Sequence, residues 1–142
     1  NSLSFMTDDD LQAMAEYLKA LPASSAMSPD HQPDKTLAAG ATTYVDNCSA
    51  CHQAQGSGIP GVFPALAGNG VVLAADANDI LKVVLFGIPV QDGYIAMPGF
   101  GDKLSDQQIA DLANYLRSSW GNGAAVNATA AQVAALRKLP VE

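Results

Sequence analysis

Apolar residues recur at helical spacing in five stretches of this chain, and no segment shows persistent period-two alternation of the kind a strand would need. In "TDDDLQAMAEYLKAL", residues 7 to 21, Leu11, Met14, Ala15, Leu18 and Leu21 share one stripe. Thr7 and the three aspartates after it suit the positive end of a helix. A second helix is predicted from Thr36 to about Asn47. A third runs from Asn78, a capping residue type, through Phe86, with Ile80, Leu81, Val84 and Leu85 inward and Gly87 as its stop. Ser105 and Gln108 spell a capping box ahead of a helix that carries Ile109, Leu112, Ala113 and Leu116. Thr129 and Gln132 repeat that box before a short last helix with Val133 and Leu136. Between these elements, "LPASSAMSPDHQPDK" holds three prolines and reads as a linker. The stretches 53–70 and 87–103 are rich in Gly and Pro and read as irregular loops. The pattern predicts an all-α chain.

One stretch recurs. "MTDDDLQAMAEYLK" at 6–19 matches "LSDQQIADLANYLR" at 104–117, with Asp8, Ala15, Tyr17 and Leu18 returning as Asp106, Ala113, Tyr115 and Leu116. Chance similarity between amphipathic helices would share the apolar spacing. The shared cap, Asp and Ala-x-Tyr-Leu favour a true repeat, in which the chain opens with the closing helix of an earlier copy. The predicted organisation is that helix at 1–21, the linker at 22–35, a main domain at 36–120 and an extension with a short helix at 121–142.

Composition changes the picture mainly by exclusion. The 142 residues carry 14 acids against 7 bases, a net charge of -7, which disfavours nucleic acid and anionic membrane surfaces as partners. No apolar run approaches the length of a membrane span, so membrane association is expected only through partners or through segments outside this sequence. The sequence opens in mid-pattern, as a mature or trimmed product would, with no signal-peptide pattern.

The chemistry concentrates in "CSACH", residues 48–52, which holds both cysteines and one of the two histidines. A bond between cysteines three apart would close only a tiny loop, so a structural staple is a poor account. A dithiol redox site, half of a zinc site and covalent haem attachment remain. Zinc needs four ligands, and beyond this turn the chain offers only His31 in the linker and no second cysteine pair. A thiol oxidoreductase would want a βαβ pattern that is missing. On a helical turn Cys48 and Cys51 project to one side, where they can add to two vinyl groups along a haem edge, and His52 can swing over the macrocycle to the iron. A second axial ligand would come from Met6, Met14, Met27, Met97 or His31. Met14 lies on a helix stripe and is expected in the core, while Met6 and Met27 lie in or beside linker-like sequence. Met97 lies in a glycine-rich loop, with no helix face to pack, and is the favoured ligand.

Over residues 36 to about 120 the sequence resembles a class I c-type cytochrome. Gly40, Tyr44 and the CSACH turn match that family's first helix, and Leu112, Tyr115 and Leu116 its last, which crosses the first at the small Gly40. Pro64 in "FPALAG" matches the proline whose carbonyl fixes the proximal histidine, Leu66 the apolar residue against the haem, and Met97 the axial methionine. The resemblance implies an all-α class I cytochrome c fold around one haem c, bound through Cys48 and Cys51 and ligated by His52 and Met97. It also implies one-electron transfer on the periplasmic side of a bacterium. "FPALAGN", "AMPGF" and "YLRSSWGN" are similar to the C-terminal domain of multihaem cytochrome subunits of periplasmic, membrane-bound dehydrogenases for alcohols, aldehydes and sugars. Those carry three haem domains in tandem, whereas this chain has one haem motif and the last helix of a domain before it. The implied partners are a dehydrogenase catalytic subunit, where the substrate chemistry would lie, and a quinone or terminal oxidase acceptor. A stand-alone cytochrome and a haem sensor or peroxidase with an open sixth position remain as alternatives. Trp120 is expected either to contact a partner or to close the end of the last domain helix against the core.

Overall fold

A computed structural model describes residues 7–20, 35–91 and 93–139. They divide between two compact units, 1–32 and 33–142. The first contributes helix α1 (Asp8–Ala20). Its start is a reciprocal cap: the Asp10 N–H donates to Thr7 Oγ1 at 3.2 Å, and the Thr7 N–H donates to the Asp10 carboxylate at 2.9 Å. These bonds to Thr7 hold the Asp10 carboxyl below its ordinary range. Within this unit α1 has no partner among the described residues. Met14, expected in a core, is 47% exposed, and Leu11 is 44% exposed.

The second unit contains α2 (Lys35–Asn47), α3 (Ser49–His52), α4 (Gly70–Leu73), α5 (Asn78–Phe86), α6 (Asp106–Ser118) and α7 (Ala130–Leu136). Two two-residue strands, β1 (Gly87–Ile88) and β2 (Met97–Pro98), pair antiparallel, with Ile88 opposite Met97. No helix among the described residues is long and apolar enough to cross a membrane. The helices begin and end close to where their caps predict. Ser105 and Gln108 form the box at α6, and Thr129 and Gln132 the box at α7. The start of α5 differs: Asn78 is its first residue, and Asp76 supplies the cap by accepting the Asn78 N–H at 2.8 Å. An Asp two residues upstream reaches that amide as an Asx turn, which leaves Asn78 free to join the helix. The β1–β2 pair interrupts the stretch 87–103, expected to be wholly irregular, and α4 begins where the other irregular stretch ends, at Gly70. Elements of four and two residues are too short to show a period.

The core forms where α2 crosses α6. Tyr44 of α2 and Ile109, Leu112, Ala113 and Leu116 of α6 are buried, and Ile80, Leu81 and Val84 of α5 and Val133 of α7 join the same cluster. At the crossing Gly40 has no room for a side chain, because a Cβ would fall on the Asp111 carbonyl and lie 2.7 Å from Tyr115 Cβ. Tyr44, Tyr115 and Trp120 pack beside it, with ring centroids 4.9 to 5.7 Å apart. Residues 121–139 continue the same unit. Asn114 Nδ2 donates to the Ala128 carbonyl and its Oδ1 accepts the Ala128 N–H, both at 2.9 Å, and this fixes the approach to α7.

Gly40→Ala is expected to lower the unfolding free energy of the haem-loaded protein by about 1–3 kcal/mol, the usual cost of forcing atoms into a filled contact. Gly123→Ala, where a Cβ meets nothing within 4 Å, should change it by less than about 0.5 kcal/mol. Guanidinium denaturation of the two variants measures the difference.

Candidate haem-binding site

Helix α2 delivers the two cysteines. The Cys48 N–H still donates to the Tyr44 carbonyl at 2.8 Å, so the helical course runs into the CSACH turn. The turn closes on Cys48: the N–H groups of Cys51 and His52 both donate to its carbonyl, at 3.1 and 2.9 Å. Cys48, Cys51 and His52 thereby come to one side and line a single cavity of about 320 Å³. After His52 the chain reverses at Gln53, at a φ of 64°. Two aromatic groups from the α2–α6 corner hold that reversal. Tyr44 Oη donates to the Gln53 carbonyl, and Trp120 Nε1 donates to the Ala54 carbonyl at 3.1 Å. Trp120 therefore closes the end of α6 against the core, the second of the two expectations for it.

His52 is buried, and its Nδ1 lies 2.9 Å from the Pro64 carbonyl oxygen. A carbonyl only accepts, so Nδ1 carries the proton and Nε2 keeps a free lone pair. No described protein group engages Nε2. Pro64 is presented by a tight turn in which Ile59 and Phe63 exchange N–H···O bonds of 2.8 Å in both directions. Leu66 is anchored two residues on, where its N–H donates to the Gly56 carbonyl at 2.7 Å and its carbonyl accepts from Asn122 Nδ2 at 3.1 Å.

Met97 lies in β2 and is half-buried. It lines the same cavity as the CSACH turn, together with Phe63, Tyr94, Ile95 and Phe100. A second hollow of about 30 Å³, lined by Leu66, Ile80, Val84 and Leu112, shares Cys48, His52, Met97 and Phe100 with the first. Of the six residues singled out from the sequence, Cys48, Cys51, His52, Pro64 and Met97 line the larger cavity, and Leu66 lines the hollow that shares residues with it. Phe63, Tyr94, Ile95 and Phe100 were not singled out, because isolated apolar residues in loops carry no periodic signal. Met6, Met27 and His31 lie outside the described residues.

The electrostatics weigh against a dithiol site. Both thiols are free. Cys48 is pushed up to about 11, chiefly by burial, then by the neighbouring Cys51, with Lys103 opposing. A redox dithiol needs an accessible thiolate near neutral pH, and this thiol stays protonated. For zinc, no group of three or more His, Cys, Asp or Glu among the described residues is arranged to hold a metal ion. The donors do fit a haem c: two thiols a turn apart at the edge of an apolar cavity, an imidazole with a free Nε2, and a thioether.

Comparison with known proteins agrees with the geometry. The family described as cytochrome c matches residues 37–120. The chain is 40% identical over 152 residues to the cytochrome c subunit of alcohol dehydrogenase (quinone) from Komagataeibacter europaeus, covering 96% of this chain and 32% of that one. It is 41% identical over 154 residues to the gluconate 2-dehydrogenase cytochrome c subunit of Pantoea cypripedii, covering 97% and 35%. It thus spans about a third of the length of these relatives. Against cytochrome c-552 of Thermus thermophilus it is 35% identical over 110 residues, covering 69% of this chain and 83% of that one. The chain belongs to the cytochrome c family.

Proposed function

We propose that this chain transfers one electron at a time through one haem c, bound covalently by Cys48 and Cys51, with His52 and Met97 as axial ligands. The observation that carries the reading is the hydrogen bond from His52 Nδ1 to the Pro64 carbonyl, which frees Nε2 beside a cavity that Met97 also lines. When bound, the haem supplies an iron that cycles between the ferric and ferrous states. Cys48 and Cys51 would hold the haem covalently, each S–H adding across one vinyl double bond. By accepting the hydrogen bond from Nδ1–H, the Pro64 carbonyl fixes the ring of His52 and raises its basicity, which would favour ferric iron. The Met97 thioether acts in the opposite direction and favours the reduced form. Phe63, Leu66 and Phe100 keep water from the apolar faces.

The dehydrogenase subunits among the relatives support a place between a catalytic dehydrogenase subunit, which would do the substrate chemistry, and a quinone or terminal oxidase acceptor. Covalent haem attachment takes place outside the bacterial cytoplasm, so the site of action is the periplasm. The domain reading extends this: 1–21 is the closing helix of a preceding cytochrome domain, 22–35 a linker, 36–120 the cytochrome domain and 121–142 its extension. The caps support the repeat, since Thr7 with Asp10 and Ser105 with Gln108 form reciprocal boxes at matching positions. Leu11 and Met14 then correspond to Ile109 and Leu112, which are buried in the core of the second unit.

Met97→Ala should keep the haem covalently attached, abolish the iron–sulfur charge-transfer band and lower the reduction potential. An absorption spectrum of the oxidised variant that still shows the band sinks the ligand assignment. A wild-type spectrum that is high-spin would instead establish the sensor or peroxidase alternative.

Gly58 tests the other axial side. Its N–H donates to the His52 carbonyl at 3.0 Å, its φ is +62°, and a Cβ there would lie 2.6 Å from the Pro64 carbonyl oxygen. Gly58→Ala should push that carbonyl off Nδ1, at a stability cost of about 1–3 kcal/mol. Faster exchange of the Nδ1 proton by NMR and a raised potential by voltammetry are the expected readings. An unchanged proton signal refutes the role given to Pro64.

Deleting residues 1–34 should leave the haem spectrum and potential nearly unchanged while altering association or solubility. Loss of the iron–sulfur band on truncation would place the first helix within the cytochrome fold.

A further inference from the structure

We propose that Arg137, in the segment beyond the last residue matched by the cytochrome c family, is a positioning residue for Met97. The inference rests on Met97 being the axial ligand.

Met97 sits in a strand only two residues long, so the ladder with Gly87 and Ile88 cannot fix it alone. The chain that follows is spliced onto the end of α5, where the N–H groups of Phe100 and Gly101 donate to the carbonyls of Val84 and Leu85 at 2.8 and 3.1 Å. A turn then closes on the Phe100 carbonyl, which accepts from the N–H groups of Lys103 and Leu104 at 3.0 and 2.9 Å. The outer side of this turn is gripped by one guanidinium. Arg137 donates through Nη1 to the Gly101 carbonyl, through Nη2 to the Leu104 carbonyl at 2.7 Å, and through Nε to the Asp106 carboxylate at 2.5 Å. Among the described residues no other side chain donates to a carbonyl of segment 99–104.

The base of this clamp is rigid. Arg137 caps α7, with its own N–H bonded to the Val133 carbonyl at 3.0 Å, and Val133 and Leu136 are buried in the shared core. The capping box at Thr129 and the paired bonds between Asn114 and Ala128 fix where α7 begins. A planar guanidinium matches three acceptors spread over a turn, whereas an ammonium would satisfy fewer of them at once. Arg137 thus ties the C-terminal extension to the segment joining Met97 and Phe100 to α6. Without it, the turn keeps its backbone bonds and the burial of Leu104 but loses its side-chain donors, and the thioether would leave the iron more readily.

The test uses the full haem-loaded chain, oxidised, with imidazole added to displace the methionine, and follows loss of the iron–sulfur band. In Arg137→Gln the imidazole concentration for half-displacement should fall about tenfold, with Arg137→Lys in between and Lys138→Gln like wild type. Amide hydrogen exchange at Phe100 and Gly101 should quicken in step. An unchanged half-displacement in Arg137→Gln overturns the proposal. So does an equal fall in the Gln and Lys variants that merely tracks their loss of global stability. If Arg137→Gln does not accumulate, Asp106→Asn removes one acceptor and should give a smaller fall, and no fall overturns the proposal. Met97→Ala separates the two claims. If it retains the band, the ligand reading fails and the clamp with it. If it loses the band while Arg137→Gln matches wild type, only the clamp fails.

Discussion

The second unit is organised by the contact of two helices at a residue without a side chain. Because Gly40 meets the backbone of α6 at Asp111 and the Cβ of Tyr115, the ends of α2 and α6 are brought together. The CSACH turn grows from one of those ends and Trp120 from the other. Tyr44 and Trp120 then reach the two consecutive carbonyls, of Gln53 and Ala54, where the chain leaves His52. A larger residue at position 40 would separate the helices, and the aromatic corner would lose its hold on that reversal. The helix crossing and the proposed ligand geometry are in this sense a single constraint.

Much of the unit is loop, and loop backbone must find partners once it is buried. Side chains on and after α6 supply several of them. Arg117 is entirely buried and forms no ion pair among the described residues, and its guanidinium donates to the carbonyls of Val72, Ala74, Ala75, Asp76 and Ala125. A buried charge left without partners would cost several kcal/mol. Here it is surrounded by oriented carbonyl dipoles, and it fastens the connection between α4 and α5 to the start of the C-terminal extension. Asn122 does the same for the proximal loop, accepting the Gly68 N–H at 2.8 Å and donating to the carbonyls of Leu66 and Leu116.

Local chemistry was legible in the sequence wherever it depended on short spacing. The boxes at Ser105 and Thr129, the stop at Gly87 and the side-by-side projection of Cys48, Cys51 and His52 are all decided within one turn. Gly40 was legible only through the resemblance, because nothing around it in sequence indicates which helix approaches. The role of Arg117 was not legible, since its five acceptors lie 8 to 45 residues away. Phe63 and Phe100 were hidden because isolated apolar residues in loops carry no periodic signal. The Asp76 cap was missed because two capping residue types stand two apart, and only the backbone decides between them.

The same satisfaction of polar groups bears on how such a site would work. No fully buried side-chain nitrogen or oxygen among the described residues lacks a partner. A one-electron carrier has no substrate to close around, and any movement of its ligands between oxidation states would slow it. His52 and Met97 sit in elements of four and two residues, which would be a poor solution if the loops running from them were fixed only at their ends. Here each loop is bound between its ends: 54–68 through Trp120, Gly56 and Asn122, and 100–106 through α5 and Arg137. The contacts come from α5, α6 and the extension, which are themselves locked into one core. Preorganisation of this kind places rigidity where the proposed ligands are and leaves chain irregularity harmless to them.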